Sequence, residues 1–197
     1  MREMIKMVVV LTVLCSFSGG LLAALRDGTK ERIEVQQLEF IKGPAIRKIL
    51  EGASNDPIKD RFKIKIGETE KTFFVGLFDG KANTVVYEAS GKGFGGDIGM
   101  MIGVNLADDK IAGVGVTTHS ETPGIGAKAQ TDPKFAKQFK GLMLTEEVKV
   151  KADGGKIDAM SGATVTSKGV TAAVTEAGKF YKEIKPQLAE KAKSFQK

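Results

Sequence analysis

One cysteine, one histidine and no tryptophan occur in 197 residues, and each scarcity removes a class of chemistry. The lone Cys15 lies inside an uncharged apolar run, so the rest of the chain has no disulfide, no thiolate metal site and no iron–sulfur cluster of its own. One histidine with scattered carboxylates is not a spaced metal-ligand set. Nucleophilic catalysis is poorly supplied as well: no G-x-S-x-G surrounds Ser161, and no base stands beside any hydroxyl. His119, alone at a strand end, reads as a surface or hydrogen-bonding residue before it reads as a base, and no catalytic residue is assigned. Redox chemistry in this chain therefore needs an organic cofactor. Two tyrosines and a net charge of +6 spread through lysine-rich stretches, without aromatic interleaving, describe a solvated surface and not a nucleic-acid groove.

What is present begins at the N-terminus. Residues 7–25 are uncharged, bounded by Arg2, Glu3 and Lys6 before and by Arg26, Asp27 and Lys30 after, and are long enough to span hydrocarbon as a helix. A cleaved secretory signal is the competing reading, but the end of the run, Gly19-Gly20-Leu21-Leu22-Ala23-Ala24, offers no clean A-x-A. A lipid anchor at Cys15 is disfavoured by the bulky Leu14 before it. We favour an uncleaved anchor; cleavage remains the alternative, and basic residues on both flanks leave the orientation open.

The expected organisation is a membrane anchor over 1–27, a helical stalk over 28–55 and one domain over 56–197. A helix is expected across 29–53, broken or restarted at Gly43-Pro44. Alternating apolar positions then predict strands at Phe62, Ile64 and Ile66, at Phe73, Val75 and Leu77, and at 84–88, followed by 98–106 and 111–117 joined by a short hairpin connection. A short helix is expected after Asp132-Pro133, and a further strand at Val148 and Val150. The fold class is α+β: a mostly antiparallel sheet with packed helices, preceded by one transmembrane helix. Gly91-Lys92-Gly93-Phe94-Gly95-Gly96 fits G-x-G-x-x-G, but a dinucleotide fold needs a helix to open there, and 97–106 reads as strand.

Two segments suggest a ligand. From Val170 the apolar stripe Val170, Ala173, Val174, Ala177, Tyr181 and Ile184 predicts an amphipathic helix, with Ser167 as N-cap and Pro186 as its stop. Just before it, Ser161, Thr164, Thr166 and Ser167 crowd hydroxyls around Gly162 and Ala163, where unpaired N–H groups and the helix dipole favour phosphate. A plain turn and cap is the alternative. Upstream, in Glu121-Thr122-Pro123-Gly124-Ile125-Gly126, proline fixes one backbone angle and two glycines clear the approach, a shelf on which a flat ring can rest. A tight strand-to-helix turn is the alternative there.

The anchor, the loop from His119 to Gly126 and Asp158-Ala159-Met160-Ser161-Gly162-Ala163-Thr164, in that order, resemble the FMN-binding subunits of Rnf and Na+-translocating NADH:quinone reductase complexes. The length is similar to that of the Rnf G subunit; the C subunit of the quinone reductase, a longer chain, is the alternative within the family. The resemblance implies that Thr164 carries FMN through a phosphoester bond, with Thr166 the nearest decoy. It implies that a separate Mg2+-dependent flavin transferase makes that bond from FAD, reading a motif that includes Asp158. Ring contacts are expected from Glu121, Thr122, Pro123, Gly124, Ile125 and Gly126, and from the 93–97 loop, with Lys128 a candidate for the phosphate or ribityl end. The chain is then an electron relay among other membrane subunits, in a complex that passes electrons between ferredoxin and NAD+ and moves Na+ or H+. The family implies a single pass through a bacterial cytoplasmic membrane, with the domain on the outer face. An extracytoplasmic FMN carrier outside Rnf, and an exported module holding a phosphate-bearing ligand noncovalently, are the remaining readings.

Overall fold

The computed structural model describes residues 1–67 and 69–195; residue 68 and the last two residues of the expected domain, 196 and 197, lie outside the described residues. The chain divides into two compact units, Met1–Phe40 and Ile41–Lys197. The first is α1, Arg2–Gln36, a 35-residue helix in which no residue is buried. Val8, Leu11, Leu14 and Phe17 are exposed along it, and by length and composition it is apolar enough to cross a membrane.

A π-helical turn, Gln37–Lys42, precedes α2, Gly43–Ile49, whose second residue is Pro44. Helix therefore ends at Ile49 and not at Ala53, and the stalk expected over 28–55 is divided between the two units.

Five strands follow, β1 Arg61–Ile66, β2 Thr69–Phe78, β3 Lys81–Lys92, β4 Asp97–Asn105 and β5 Ile111–Thr118, each antiparallel to the next in the order β1-β2-β3-β4-β5. The β2–β3 hairpin closes through Asp79 and Gly80, with φ of 52° and 73°, the left-handed pair that suits strand twist. Two short helices, α3 Lys128–Thr131 and α4 Pro133–Lys137, follow β5, and Asp132 caps α4 by accepting the Lys134 N–H. The long α5, Thr164–Lys193, closes the fold.

One sheet face contributes Phe73, Val75, Val85, Tyr87, Met100 and Ile102 to a core shared with Val170, Ala173, Val174, Ala177, Tyr181, Ile184 and Leu188 of α5. Each of the larger of these side chains, such as Val, Ile, Leu, Met or Phe, contributes about 1.5–3 kcal/mol when taken out of water. The start of α5 lies against the end of β3 almost backbone to backbone: a Cβ on Gly169 would collide with the Lys92 carbonyl, and one on Gly91 with the Gly169 carbonyl.

Three expectations are corrected. Ser167 is not the N-cap, because its Oγ donates to the Ala163 carbonyl at 2.9 Å and accepts the Met160 N–H at 3.0 Å; the helix begins at Thr164 with Ala163 in the cap position. Pro186 does not stop α5, whose inward face continues through Leu188 and Ala192, so burial offsets the lost hydrogen bond. Val148 and Val150 form no strand. The Val148 N–H donates to Thr175 Oγ1 at 3.0 Å, its carbonyl accepts from the same hydroxyl at 3.2 Å, and Val150 makes only an isolated bridge to Ile157.

Candidate functional site

The end of β3, the loop after β5 and the start of α5 meet at one buried carboxylate. Glu121 is 6% exposed; one of its oxygens accepts the Gly95 N–H at 2.8 Å and the other accepts the Thr166 hydroxyl. Its own N–H donates to His119 Nδ1 at 3.2 Å. Burial pushes the Glu121 carboxyl up, but the hydrogen bonds from Thr166, Gly95 and Phe94 and the neighbouring His119 outweigh it, so the group is held below the ordinary carboxylate range. Gly126 packs directly over this node: a Cβ there would stand 2.6 Å from a Glu121 oxygen and 2.9 Å from Thr166 Oγ1.

In front of α5 the chain makes a tight turn in which the Ala163 N–H donates to the Met160 carbonyl at 3.0 Å and Gly162 takes φ +75°. That left-handed third position is one glycine occupies without strain. Ala163 supplies no side-chain cap and no acidic residue stands in the first turn, so the positive end of a 30-residue helix is left open to an anion.

Exposure separates the two threonines of this turn. Thr164, the first residue of α5, is exposed and its hydroxyl makes no hydrogen bond among the described residues. Thr166 is 2% exposed, with its hydroxyl committed to Glu121. Ser161 and Gly162 are exposed beside Thr164, whereas Ala163 and Ser167 are buried.

Among the described residues of the second unit beyond Ile41, large apolar side chains are exposed at Phe94 (76%), Ile125 (46%) and Val165 (51%). All three lie on segments tied together by Glu121, and a Cβ on Gly162 would be 3.6 Å from Ile125 Cγ2. Exposed apolar groups gathered beside an open helix N-terminus suit a ligand with an anionic end and a flat apolar body. Thr122, Pro123 and Gly124 are exposed on a loop tied to itself by the Ile125 and Ala127 N–H groups, both donating to the Thr122 carbonyl. Lys128 opens α3, exposed and without an ion pair among the described residues.

Asp158 pairs with Lys151 at 2.8 Å, and its backbone is clamped by Gln138, which accepts the Asp158 N–H at 2.7 Å and donates to its carbonyl at 3.2 Å. Sequence reasoning missed Val165, whereas Phe94 lies in the 93–97 loop from which ring contacts were expected. For Phe94 the signal was there, since an aromatic flanked by Gly93, Gly95 and Gly96 has little around it to pack against.

The FMN-binding domain family matches residues 93–179, a stretch that begins at the loop carrying Phe94, ends within α5 and contains every segment of the site. The chain is 34% identical to the G subunit of the proton-translocating ferredoxin:NAD(+) oxidoreductase complex of Clostridium ljungdahlii, over 85% of each chain. It is 32% identical to the G subunit of the ion-translocating oxidoreductase complex of Methanosarcina acetivorans, over 89% of this chain and 93% of that one. The chain belongs to the family of Rnf G subunits. Among solved structures, NqrC of Shewanella oneidensis superimposes with a TM-score of 0.52 and 29% identity over 70% of this chain and 71% of that one. The C subunit of the Na(+)-translocating NADH-quinone reductase of Parabacteroides distasonis gives a TM-score of 0.52 and 27% identity over 60% and 64%. This chain thus shares its domain fold with the C subunit of the quinone reductase.

Proposed function

We propose that this chain is the flavin-carrying electron-transfer subunit of an Rnf-type ion-translocating oxidoreductase, held in the membrane by α1 and bearing FMN on Thr164 through a phosphoester bond. The observation that carries the attachment site is the contrast between two hydroxyls two residues apart. Thr164 is exposed and unpartnered at an uncapped helix start, and Thr166 is buried and already donating to Glu121. Only the first can be reached by another protein's active site.

The residues present fit FMN. The helix start accommodates the phosphate and offsets part of its charge, and Phe94, Ile125 and Val165 offer apolar surface to the ring. FMN supplies the one- and two-electron redox chemistry that the side chains lack. The protein's part is to hold and shield it: Gly126 brings the 121–126 loop down on the Glu121–Thr166 pair, and the Gly162 turn presents Thr164 outward. Because the phosphate is at the far end of the ribityl chain from the ring, the ester retains the cofactor and scarcely alters ring electronics.

Among the described residues no base hydrogen-bonds the Thr164 hydroxyl, so an outside enzyme must activate it. With FAD as donor, the Thr164 oxygen bonds to the phosphorus of the FMN half, the pyrophosphate bond breaks, AMP leaves, and the hydroxyl proton is taken up by the released phosphate. A flavin transferase is therefore a required partner. Other membrane subunits of the complex exchange electrons with the chain, which takes no diffusible substrate. The domain faces the outer side of a bacterial cytoplasmic membrane.

Intact-mass analysis of the chain produced with its flavin transferase is expected to show one added FMN less water, on the peptide bearing Thr164. Thr164→Ala is expected to abolish denaturation-resistant flavin fluorescence completely, and Thr166→Val to leave the attachment in place. Flavin that survives denaturation in Thr164→Ala defeats the site assignment; flavin released from the parent by denaturation favours a noncovalent binding module.

A further inference from the structure

We infer that the buried carboxylate of Glu121 acts as a fixed negative charge beneath the flavin and makes its reduction less favourable. This rests on the reading that FMN is carried by Thr164. The geometry behind it is a carboxylate withdrawn from water whose bonded partners are neutral: the Gly95 N–H on one oxygen and the Thr166 hydroxyl on the other.

Among the described residues no lysine or arginine pairs with it. His119 is the titratable neighbour, offering Nδ1 to the Glu121 backbone. Of the remaining charges on the adjoining segments, Lys168 on α5 pairs with Asp153 at 2.8 Å, and Lys92, Asp97 and Lys128 are exposed and make no ion pair with Glu121 among the described residues. The tether between the two loops does not itself need the charge. A glutamine would serve as a tether, since the Thr166 hydroxyl can turn to accept from an amide.

What the charge adds is a field. Phe94, Ile125 and Val165, the exposed apolar surface, are on the segments that Glu121 joins, so the residues that would hold the ring are the ones this charge ties together. A unit charge about 10 Å from a redox centre, at an effective permittivity of about 20, shifts an equilibrium by on the order of tenfold. The 121–126 loop was expected to act as a shelf; its buried acid now gives it an electrical role as well.

The test uses the full chain, flavinylated by its transferase and kept in detergent, with the flavin midpoint potential measured by spectroelectrochemistry. Intact mass comes first: a parent without covalent flavin overturns the reading under Proposed function and is recognised before any potential is measured. In flavinylated Glu121→Gln, the reduction equilibrium is expected to move toward the reduced form by on the order of tenfold. Thr166→Val keeps the charge and removes one of its donors, and is expected to move the equilibrium the opposite way. Loss of a mere tether would move both variants in the same direction. A Glu121→Gln value equal to or more negative than the parent overturns the inference, as does a positive shift in both variants. Should Glu121→Gln fail to fold, Thr166→Val decides alone: a negative shift supports the charge, and any other result overturns it.

Discussion

The two ends of α5 are anchored by opposite means. Near its C-terminal end the Tyr181 hydroxyl donates to Asp109 at 2.7 Å, Lys185 pairs with the same carboxylate at 2.7 Å, and Ile184, Leu188 and Ala192 are buried. Lys191 and Lys193 stand in the last turn, where cations complement the helix dipole. At the N-terminal end the first-turn N–H groups have no side-chain cap, Val165 is exposed, Gly162 holds a left-handed angle, and attachment relies on backbone contact at Gly169 and on Glu121. Tyr181 and Lys185 are paired at the one end; at the other the helix start is uncapped and Thr164 makes no side-chain hydrogen bond among the described residues. An uncapped helix start beside exposed apolar side chains marks a site where stability has been given up for binding, and here that is the end bearing Thr164.

The sharpest way to break this comparison is to fill the backbone contact at the open end. Gly169→Val places side-chain atoms against the Lys92 carbonyl, where neither backbone has room to yield. A loss of about 3 kcal/mol is expected, at the upper end of ordinary overpacking, together with poor flavin attachment as the helix start is pushed off β3. Denaturant titration of the detergent-solubilised chain and in-gel flavin fluorescence check both. The matching change at the closed end is Asp109→Asn. Asp109 holds φ +57°, a left-handed angle that asparagine tolerates equally well, so the substitution removes charge without straining the turn. Lys185 is partly exposed, and its pair is discounted for solvent; a loss of about 1 kcal/mol is expected, with flavin attachment unchanged. If Asp109→Asn lowers attachment as much as Gly169→Val, the two ends are not separate in function.

The closed end was largely readable from sequence, because the apolar stripe through Val174, Tyr181 and Ile184 and the alternation of Phe73 and Val75 are local patterns that burial enforces. The open end was readable in composition but not in connection. Thr166 and Glu121 are 45 residues apart and Gly95 and Glu121 are 26 apart, so no local pattern announces that one carboxylate joins them. Ser167 looked like a cap because a hydroxyl before an apolar stripe usually is one. The turn at Gly162 instead starts the helix four residues earlier and turns that hydroxyl back onto Ala163. Pro186 misled for a related reason: its local penalty is real, but burial of Leu188 and Ala192 lies beyond what a breaker rule takes into account.

Acid sharpens the comparison with the smallest effect. Burial pushes the Asp109 carboxyl up, and its bonds to Lys185 and Tyr181 more than reverse that, so Asp109, like Glu121, ionises more readily in the folded chain than in the unfolded one. Such a group adds stability above its unfolded pKa, about 3.9 for Asp and about 4.3 for Glu, and the contribution disappears as pH falls through the lower folded value. Stability is therefore expected to be level from neutrality down to about pH 5 and to decline below about pH 4. Asp109→Asn and Glu121→Gln should each flatten part of that decline. Because the two carboxylates share no partner, the flattening should be additive in the double variant. Denaturant midpoints between pH 3 and pH 7 measure it, and a double variant no flatter than either single one would show that the two ends of α5 titrate as one unit.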